Sequence, residues 1–213
     1  MLLVKPSTEV LGFYADDPAS MERIGRTCYK SEDKITPDSA EKFIKNILKN
    51  GHESVIEHSA LTVKFIIDRG VSHELVRHRL CAFSQESTRY CNYKGGVTFV
   101  IPPWVGLQPG KYFSTGIAAA ETDMIWFIQM WGAEREYRHL LFLGWTPQQA
   151  RSVLPNSLKT EIVVTTNFRE WRHIFKLRCS PAAHPQMREV MIPLLEEVKL
   201  YIPVIFDDLK GGD

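Results

Sequence analysis

Between Arg77 and Tyr90 the chain gathers Arg77, His78, Arg79 and Arg89 with the hydroxyls of Ser84, Ser87 and Thr88 and the polar groups of Gln85 and Glu86. Guanidinium forks match phosphate and carboxylate oxygens bidentately and stay charged at every relevant pH, so arginines among hydroxyls suit an anionic ligand, above all a phosphate. A plainer reading fits the same residues, with the arginines as surface groups or paired with carboxylates such as Glu86. Ser and Thr compete with the backbone for its hydrogen bonds, so a loop that leaves a helix at Arg77-His78-Arg79 is expected.

Other chemistries find less support. No G-x-G-x-x-G follows a strand and no G-x-x-x-x-G-K-[ST] occurs, so arginines rather than a glycine loop would have to hold a nucleotide's phosphates. His52, Glu53, Glu57 and His58 crowd together, yet the two histidines are six residues apart and cannot share one helix face as in H-E-x-x-H. No metal site is expected, and His58 reads as a hydrogen-bonded histidine near the start of a strand. Cys28, Cys81, Cys91 and Cys179 form no C-x-x-C pair, which suggests neither zinc nor a disulfide framework. Cys81, between Leu80 and Ala82-Phe83, reads as a small packed hydrophobe rather than a nucleophile.

A chain of 213 residues with 44% hydrophobic and 24% charged side chains has the composition of a soluble globular protein and is long enough for one ordinary core, so one domain over residues 1–213 is expected. The net charge of +1 gives no global pull toward nucleic acid or an anionic membrane. This weakens the rival reading of an RNA- or nucleotide-binding protein without catalysis, and anion binding must come from local clusters. The opening residues carry no basic stretch followed by an apolar one, and no apolar run is long enough to span a bilayer, so a cytoplasmic protein is expected.

The elements that position the polar loop follow from periodicity and punctuation. Leu2–Val4 and Glu9–Tyr14 read as strand, turning at Asp16-Asp17-Pro18, with Ser20 placed to cap a helix through Tyr29. Pro37-Asp38-Ser39 opens an amphipathic helix with Phe43, Ile44, Ile47 and Leu48 on one face, ended by Asn50-Gly51. Leu61–Ile67 is β-branched and aromatic and reads as a strand closed by Asp68-Arg69-Gly70; Ser72 then caps a short helix through Leu75 and Val76 into Arg77. Past the loop, Val97–Ile101 reads as a strand stopped by Pro102-Pro103, Ile117–Leu143 as a long helix ended by Gly144, and Pro147–Leu154 as another helix. Glu161–Thr166 is strand-like, Phe168–Leu177 helical, and Pro185–Tyr201 a final helix with a kink expected at Pro193. Strands and helices alternate without a βαβ period, which predicts an α+β fold with a mixed or antiparallel sheet and several long helices. On the long helix, Trp126, Trp131 and Tyr137 read as core or subunit contacts, while Tyr90 and Trp171 remain candidate stacking platforms.

Arg77-His78-Arg79, seven further residues, then Ser87 and Thr88-Arg89-Tyr90 resembles the signature of the flavin-dependent thymidylate synthases. Asn50-Gly51-His52-Glu53-Ser54 with Glu57-His58 is similar to that family's Gly-His-Glu-Ser/Thr…Glu-His segment. Ala150-Arg151-Ser152-Val153-Leu154-Pro155 and Asn167-Phe168-Arg169…Leu177-Arg178 are similar to its distal binding segments, in order and spacing.

The resemblance implies FAD as flavin, dUMP as pyrimidine substrate, methylenetetrahydrofolate as carbon donor and NADPH as reductant. It implies flavin contacts from Ser54, Arg77, His78, Arg79, Gln85, Asn167, Phe168, Arg169 and His173. It implies dUMP contacts from Glu74, Leu75, Val76 and Arg77, from Gln85, Glu86, Ser87, Thr88 and Arg89, and from Arg151 and Arg178. It also implies a homotetramer whose sites lie at subunit contacts. Two positions depart from the usual pattern: an acid is common in the family where this chain has Gln85, and Gln where it has Glu74. Making carbon 5 of uracil nucleophilic requires a covalent thiolate or electrostatic stabilisation of a ring anion. The resemblance puts Arg178 at the uracil, where guanidinium would stabilise the ring ionised at N3, and makes it the catalytic residue.

Overall fold

The computed structural model describes residues 1–212. In chain order the strands and helices begin β1 (Leu2–Val4), β2 (Ser7–Tyr14), α1 (Pro18–Thr27), α2 (Ala40–Lys49), β3 (Ala60–Asp68), α3 (Arg69–Leu75), β4 (Ala82–Gln85) and β5 (Thr98–Val100). They continue with β6 (Gly110–Lys111), α4 (Glu121–Phe142), α5 (Pro147–Ala150), β7 (Lys159–Asn167), α6 (Phe168–Arg178), α7 (Pro185–Tyr201) and α8 (Pro203–Phe206). Short 3-10 segments lie at Glu32–Lys34, Glu53–His58 and Arg151–Val153. One sheet has the order β5-β1-β6 and is mixed, with Leu3 opposite Phe99 in the parallel pair and opposite Gly110 in the antiparallel one. The other has the order β2-β3-β7-β4. Segregated strands and helices of this kind make an α+β protein, as the pattern predicts.

The chain forms two compact units. The first comprises Met1–Ser7, Phe65–Arg77 and Ser84–Ile162. Its core joins Leu3 and Phe99 of the small sheet, with Ile101 just beyond it, to Phe127, Met130 and Tyr137 of α4. Trp126 and Trp131 pack half-buried against that core, and the Tyr137 hydroxyl accepts from Tyr93 N–H, so these aromatics are structural. Helix α4 starts at Glu121 and leaves Ile117–Ala120 outside; Glu121 and Asp123 in its first turn meet the positive end of the helix dipole. The helix expected over Pro147–Leu154 stops at Ala150 and tightens into the 3-10 turn, a common way to finish a short helix.

The second unit comprises Thr8–Lys64, His78–Phe83 and the described residues from Val163 onward. Its core is built around α6, whose Trp171 and Phe175 are fully buried and stacked 5.5 Å apart, with Phe206 edge-on to Phe175. Trp171 Nε1 donates to Leu61 O at 2.9 Å, so this indole is a core residue and not the exposed stacking platform entertained from the sequence. Helix α7 continues past Pro193 and buries Met187, Met191, Leu194 and Leu195.

Three details correct the expectations. Asp17, not Ser20, caps α1, accepting from Ala19 and Ser20 N–H, and Asp68, not Ser72, caps α3, accepting from Val71 N–H at 2.8 Å. In both cases the carboxylate precedes the serine and reaches the orphan amides first. The supposed loop after Arg79 contains a strand, β4, whose ladder continues as Glu86 N–H donates to Glu161 O at 2.8 Å. Among the described residues no helix is long and apolar enough to cross a membrane.

Asp68 is 3% exposed, so removing its oxygen leaves a buried amide without its cap. Asp68→Ala is expected to lower stability by about 1–2 kcal/mol in urea unfolding; an unchanged midpoint would assign the cap elsewhere.

Candidate functional site

Helix α6 starts where β7 ends, and Asn167 makes the corner by accepting Glu170 N–H on Oδ1 at 2.9 Å. That fixes the helical frame from which Glu170, His173 and Arg178 project. Facing them in the same unit is the segment His78–Phe83, fastened to β7 by the Thr166 hydroxyl, which donates to Leu80 O at 2.7 Å. His78 is 6% exposed, whereas its neighbours Arg77 and Arg79 lie in solvent.

His78 has a partner facing each ring nitrogen, a hydrogen bond at one and a carboxylate at ion-pair distance at the other. Arg178 Nε donates to His78 Nε2 at 3.0 Å, and His78 Nδ1 lies 3.5 Å from Glu170 Oε1. A guanidinium N–H only donates, so Nε2 carries the lone pair and the ring proton sits on Nδ1, toward the carboxylate. Charging the ring would set two donors against each other. Burial, followed by the nearby Arg178 and His173, lowers the His78 pKa from 6.5 to about 4. The ring of His173 meets His78 edge-on at 6.0 Å, and His173 itself is exposed.

His78, Glu170 and His173 bring three possible ligand atoms within 4.8 Å of one another, the outline of a cation site. His78 Nε2 already receives Arg178 and the ring proton therefore sits on Nδ1, beside Glu170, so neither nitrogen offers a lone pair to a metal in this state and the cluster reads as a polar relay. The other crowded group separates. Glu53 and Glu57 pair with Arg169 at 3.9 and 2.5 Å, while His58 is exposed and ends the 3-10 turn before β3.

A cavity of about 800 Å³ in the second unit is lined by His52, Ser54 and Arg169 together with Arg26, Tyr29 and Phe43. It offers an imidazole, a hydroxyl and guanidinium groups beside aromatic faces, a donor set suited to a ligand that joins a ring system to phosphate. Asn167 is half-buried and uses its side-chain oxygen for the cap. Phe168 is fully buried, edge-on to Phe13 and Phe206, and its N–H donates to Ser59 O, so its side chain is core rather than a ligand contact.

The remaining candidates lie in the first unit. Gln85 Nε2 donates to Ser72 Oγ and Thr160 Oγ1, at 2.9 and 3.2 Å. Glu86 accepts the Tyr93 hydroxyl at 2.7 Å and Glu161 N–H at 3.2 Å and pairs with Lys159 at 3.0 Å, so this carboxylate anchors its own segment. Ser87 O accepts from Tyr90 and Cys91 N–H, a turn that leaves Arg89 and Tyr90 exposed. Arg151 Nη1 donates to the buried Thr88 hydroxyl at 2.9 Å, joining two expected substrate residues. Leu75 is fully buried, Glu74 half-buried and Val76 on the surface. Two residues that the sequence reading passed over hold the site in place. Arg69 Nη1 donates to Glu86 O and Thr160 Oγ1, and Glu170 faces His78.

This collection of basic and hydroxyl groups, in a chain without a glycine loop, is the donor set of a protein that binds an anionic ligand. A family model described as thymidylate synthase complementing protein matches residues 9–204. The chain belongs to that family, the flavin-dependent thymidylate synthases. A relative of that name from Corynebacterium efficiens is 34% identical over 200 residues, 90% of this chain and 79% of the relative. One from Geobacter sulfurreducens is 34% identical over 205 residues, covering 92% and 84%. Among solved structures, the UMP/dUMP methylase PolB from Streptomyces cacaoi, bound with 5-Br dUMP, is similar with a TM-score of 0.78 and 26% identity, covering 97% of this chain and 96% of that one.

Because folding lowers the His78 pKa from 6.5 to about 4, the unfolded chain binds the extra proton between those values. Stability through this group is therefore full above pH 6.5 and is lost as the pH falls toward 4. NMR titration should find the His78 ring neutral at pH 5.5, and the stability gap between the native protein and His78→Asn should narrow between pH 6.5 and 4; a ring that titrates near 6.5 would refute the assignment.

Proposed function

We propose that this chain is a flavin-dependent thymidylate synthase that methylates carbon 5 of dUMP to give dTMP, with FAD bound, methylenetetrahydrofolate as carbon donor and NADPH as reductant. The observation that carries the reading is the anchoring of Arg178 on neutral His78, between the exposed Arg77 and Arg79, in a chain of this family. Arg178 binds the uracil ring and stabilises the negative charge that develops when N3 ionises; carbon 5 then gains electron density without a covalent adduct to the protein. When bound, FAD supplies the two-electron redox chemistry.

The cavity donors Ser54 and Arg169, with Arg77, His78, Arg79, Gln85, Asn167 and His173, would hold FAD, and Phe168 would support them from the core. Backbone and side chains of Glu74, Leu75, Val76 and Arg77, with Gln85, Glu86, Ser87, Thr88, Arg89, Arg151 and Arg178, receive dUMP. Ser87 lacks a base in hydrogen-bond reach among the described contacts and serves as a phosphate donor rather than a nucleophile. The Cys81 thiol is pushed up to about 11 by burial, which supports a packing role. Assembly as a homotetramer completes the sites, and the exposed Ile125 and Ile128 on α4 support association of copies. A cytoplasmic enzyme accords with four free cysteines.

A second reading, methylation of UMP instead of dUMP, is favoured by the likeness to PolB, described as a UMP/dUMP methylase. Incubation of the FAD-reconstituted protein with methylenetetrahydrofolate, NADPH and each nucleotide in turn, with product analysis by chromatography, separates the two. Thymidylate from dUMP is expected; a protein that cannot be reconstituted with FAD ends both readings. Arg178→Ala should reduce turnover on the order of a hundredfold with FAD retained, and Arg79→Ala should weaken FAD binding first. The opposite pattern would mean that the two ligands are exchanged between these arginines. Cys81→Ser should keep thymidylate formation, and its loss with FAD still bound would revive the thiolate route.

A further inference from the structure

Glu170 has no part in the residue set that the family resemblance supplies, yet it is the carboxylate that faces the ring on which Arg178 rests. Its side chain is 11% exposed and that of His78 is 5% exposed, so the pair is largely withdrawn from water. A carboxylate is rarely buried without a partner, and the partner offered here is the Nδ1 edge of His78. Arg178 Nε can rest on His78 Nε2 only while that nitrogen lacks a proton, and the acceptor at Nδ1 selects the tautomer that meets this condition.

We propose that Glu170 is a positioning residue that acts through His78 on Arg178, fixing the imidazole tautomer and thereby the acceptor that orients the guanidinium toward the pyrimidine. The inference rests on the function proposed above. Both ends of the relay lie on one helix. Glu170 sits in the first turn of α6, held by the Asn167 cap, and Arg178 ends the helix two turns later. The strand-to-helix corner at Asn167 therefore sets the spacing that His78 bridges. Without the carboxylate, the neutral ring is free to carry its proton on Nε2, where it would repel Arg178 Nε–H. Glu170 touches neither nucleotide nor flavin in this scheme.

The test uses the FAD-loaded protein with Glu170→Ala and Glu170→Gln, since the amide oxygen of glutamine can also face Nδ1–H as an acceptor. Long-range proton–nitrogen NMR reads the His78 tautomer, steady-state kinetics with dUMP separates kcat from KM, and thermal unfolding monitors the fold. In the unaltered protein Nδ1 should carry the proton. Glu170→Ala should mix the tautomers and lower kcat roughly tenfold, a loss of the size of one hydrogen bond to a charged group. Glu170→Gln should keep the tautomer and return kcat to within about twofold of the unaltered enzyme, the margin expected when a neutral acceptor replaces a charged one. A proton on Nε2 in the unaltered protein, unchanged kcat and tautomer in Glu170→Ala, or equal impairment in both variants would overturn the proposal. Should Glu170→Ala not fold, Glu170→Asp, one methylene shorter, reads the same loss. If none of the proteins makes thymidylate, the functional reading fails, and the NMR result alone decides the positioning claim.

Discussion

Both segments that carry the candidate chemistry leave a strand and enter a helix within one residue, and a polar side chain makes each turn possible. The first amides of a helix have no partner inside it, and near a core they cannot turn to water. Asp68 answers for α3 and Asn167 for α6, each accepting one of those amides at the junction. Everything downstream takes its place from these two corners. Helix α3 delivers the chain to Arg77, and α6 delivers Glu170, His173 and Arg178 at fixed rotation about a single axis. A different first residue for α6 would rotate all three, since each residue step turns the helix by about 100°.

The arginines illustrate how little a net charge of +1 says about local electrostatics. Arg172 is 2% exposed and forms a two-pronged pair with Asp208, at 2.6 Å on each side, besides donating to Ile205 O. It ties α6 to the segment after α8 and has no freedom to meet a ligand. Arg169 is exposed but shared between Glu53 and Glu57, so a ligand phosphate has to compete with two carboxylates. Glu53 also lies 3.5 Å from Arg172 and 3.9 Å from Lys176, which makes this one acid the common counter-charge of three cations on α6. Arg77, Arg79 and Arg89 lie in solvent. Sequence spacing alone cannot sort basic residues into these groups, because the sorting depends on which acids the fold brings alongside.

Much of the architecture was nevertheless legible. Helices α2, α4, α6 and α7 follow from apolar residues at helical spacing, and their ends from Asn50-Gly51 and Gly144, both glycines having positive φ as a helix C-terminus requires. Strand β4 was not legible, because Ala82–Gln85 has neither β-branched residues nor a clean alternation; its strand character comes from lying beside β7. The caps were misread for a related reason. Where Asp and Ser stand within four residues of each other, either could cap, and only the position of the first helical turn decides. Trp171 was ambiguous because a tryptophan beside a binding segment packs as readily inward as outward, and here the carbonyl of Leu61 draws its N–H into the core. The importance of Glu170 depends on a contact with a residue 92 positions earlier in the chain, which no local pattern encodes.

The same geometry bears on how carbon 5 of a pyrimidine can be activated in the proposed reaction. A thiolate route needs a cysteine whose anion is stabilised by nearby cations or by a helix N-terminus. Cys81 and Cys179 experience the reverse, since burial pushes both thiols up to about 11, and Cys179 is in addition 1% exposed. At neutral pH each is a thiol, which is a poor nucleophile. An arginine needs no such preparation, because its charge is permanent and only its direction has to be controlled. Control of direction is what a neutral histidine with one lone pair provides, and a histidine that became charged at physiological pH would push the guanidinium away. Burial thus acts on His78 and on Cys81 in one sense, favouring the uncharged form of each; it disfavours a Cys81 thiolate and keeps available the acceptor on which Arg178 rests.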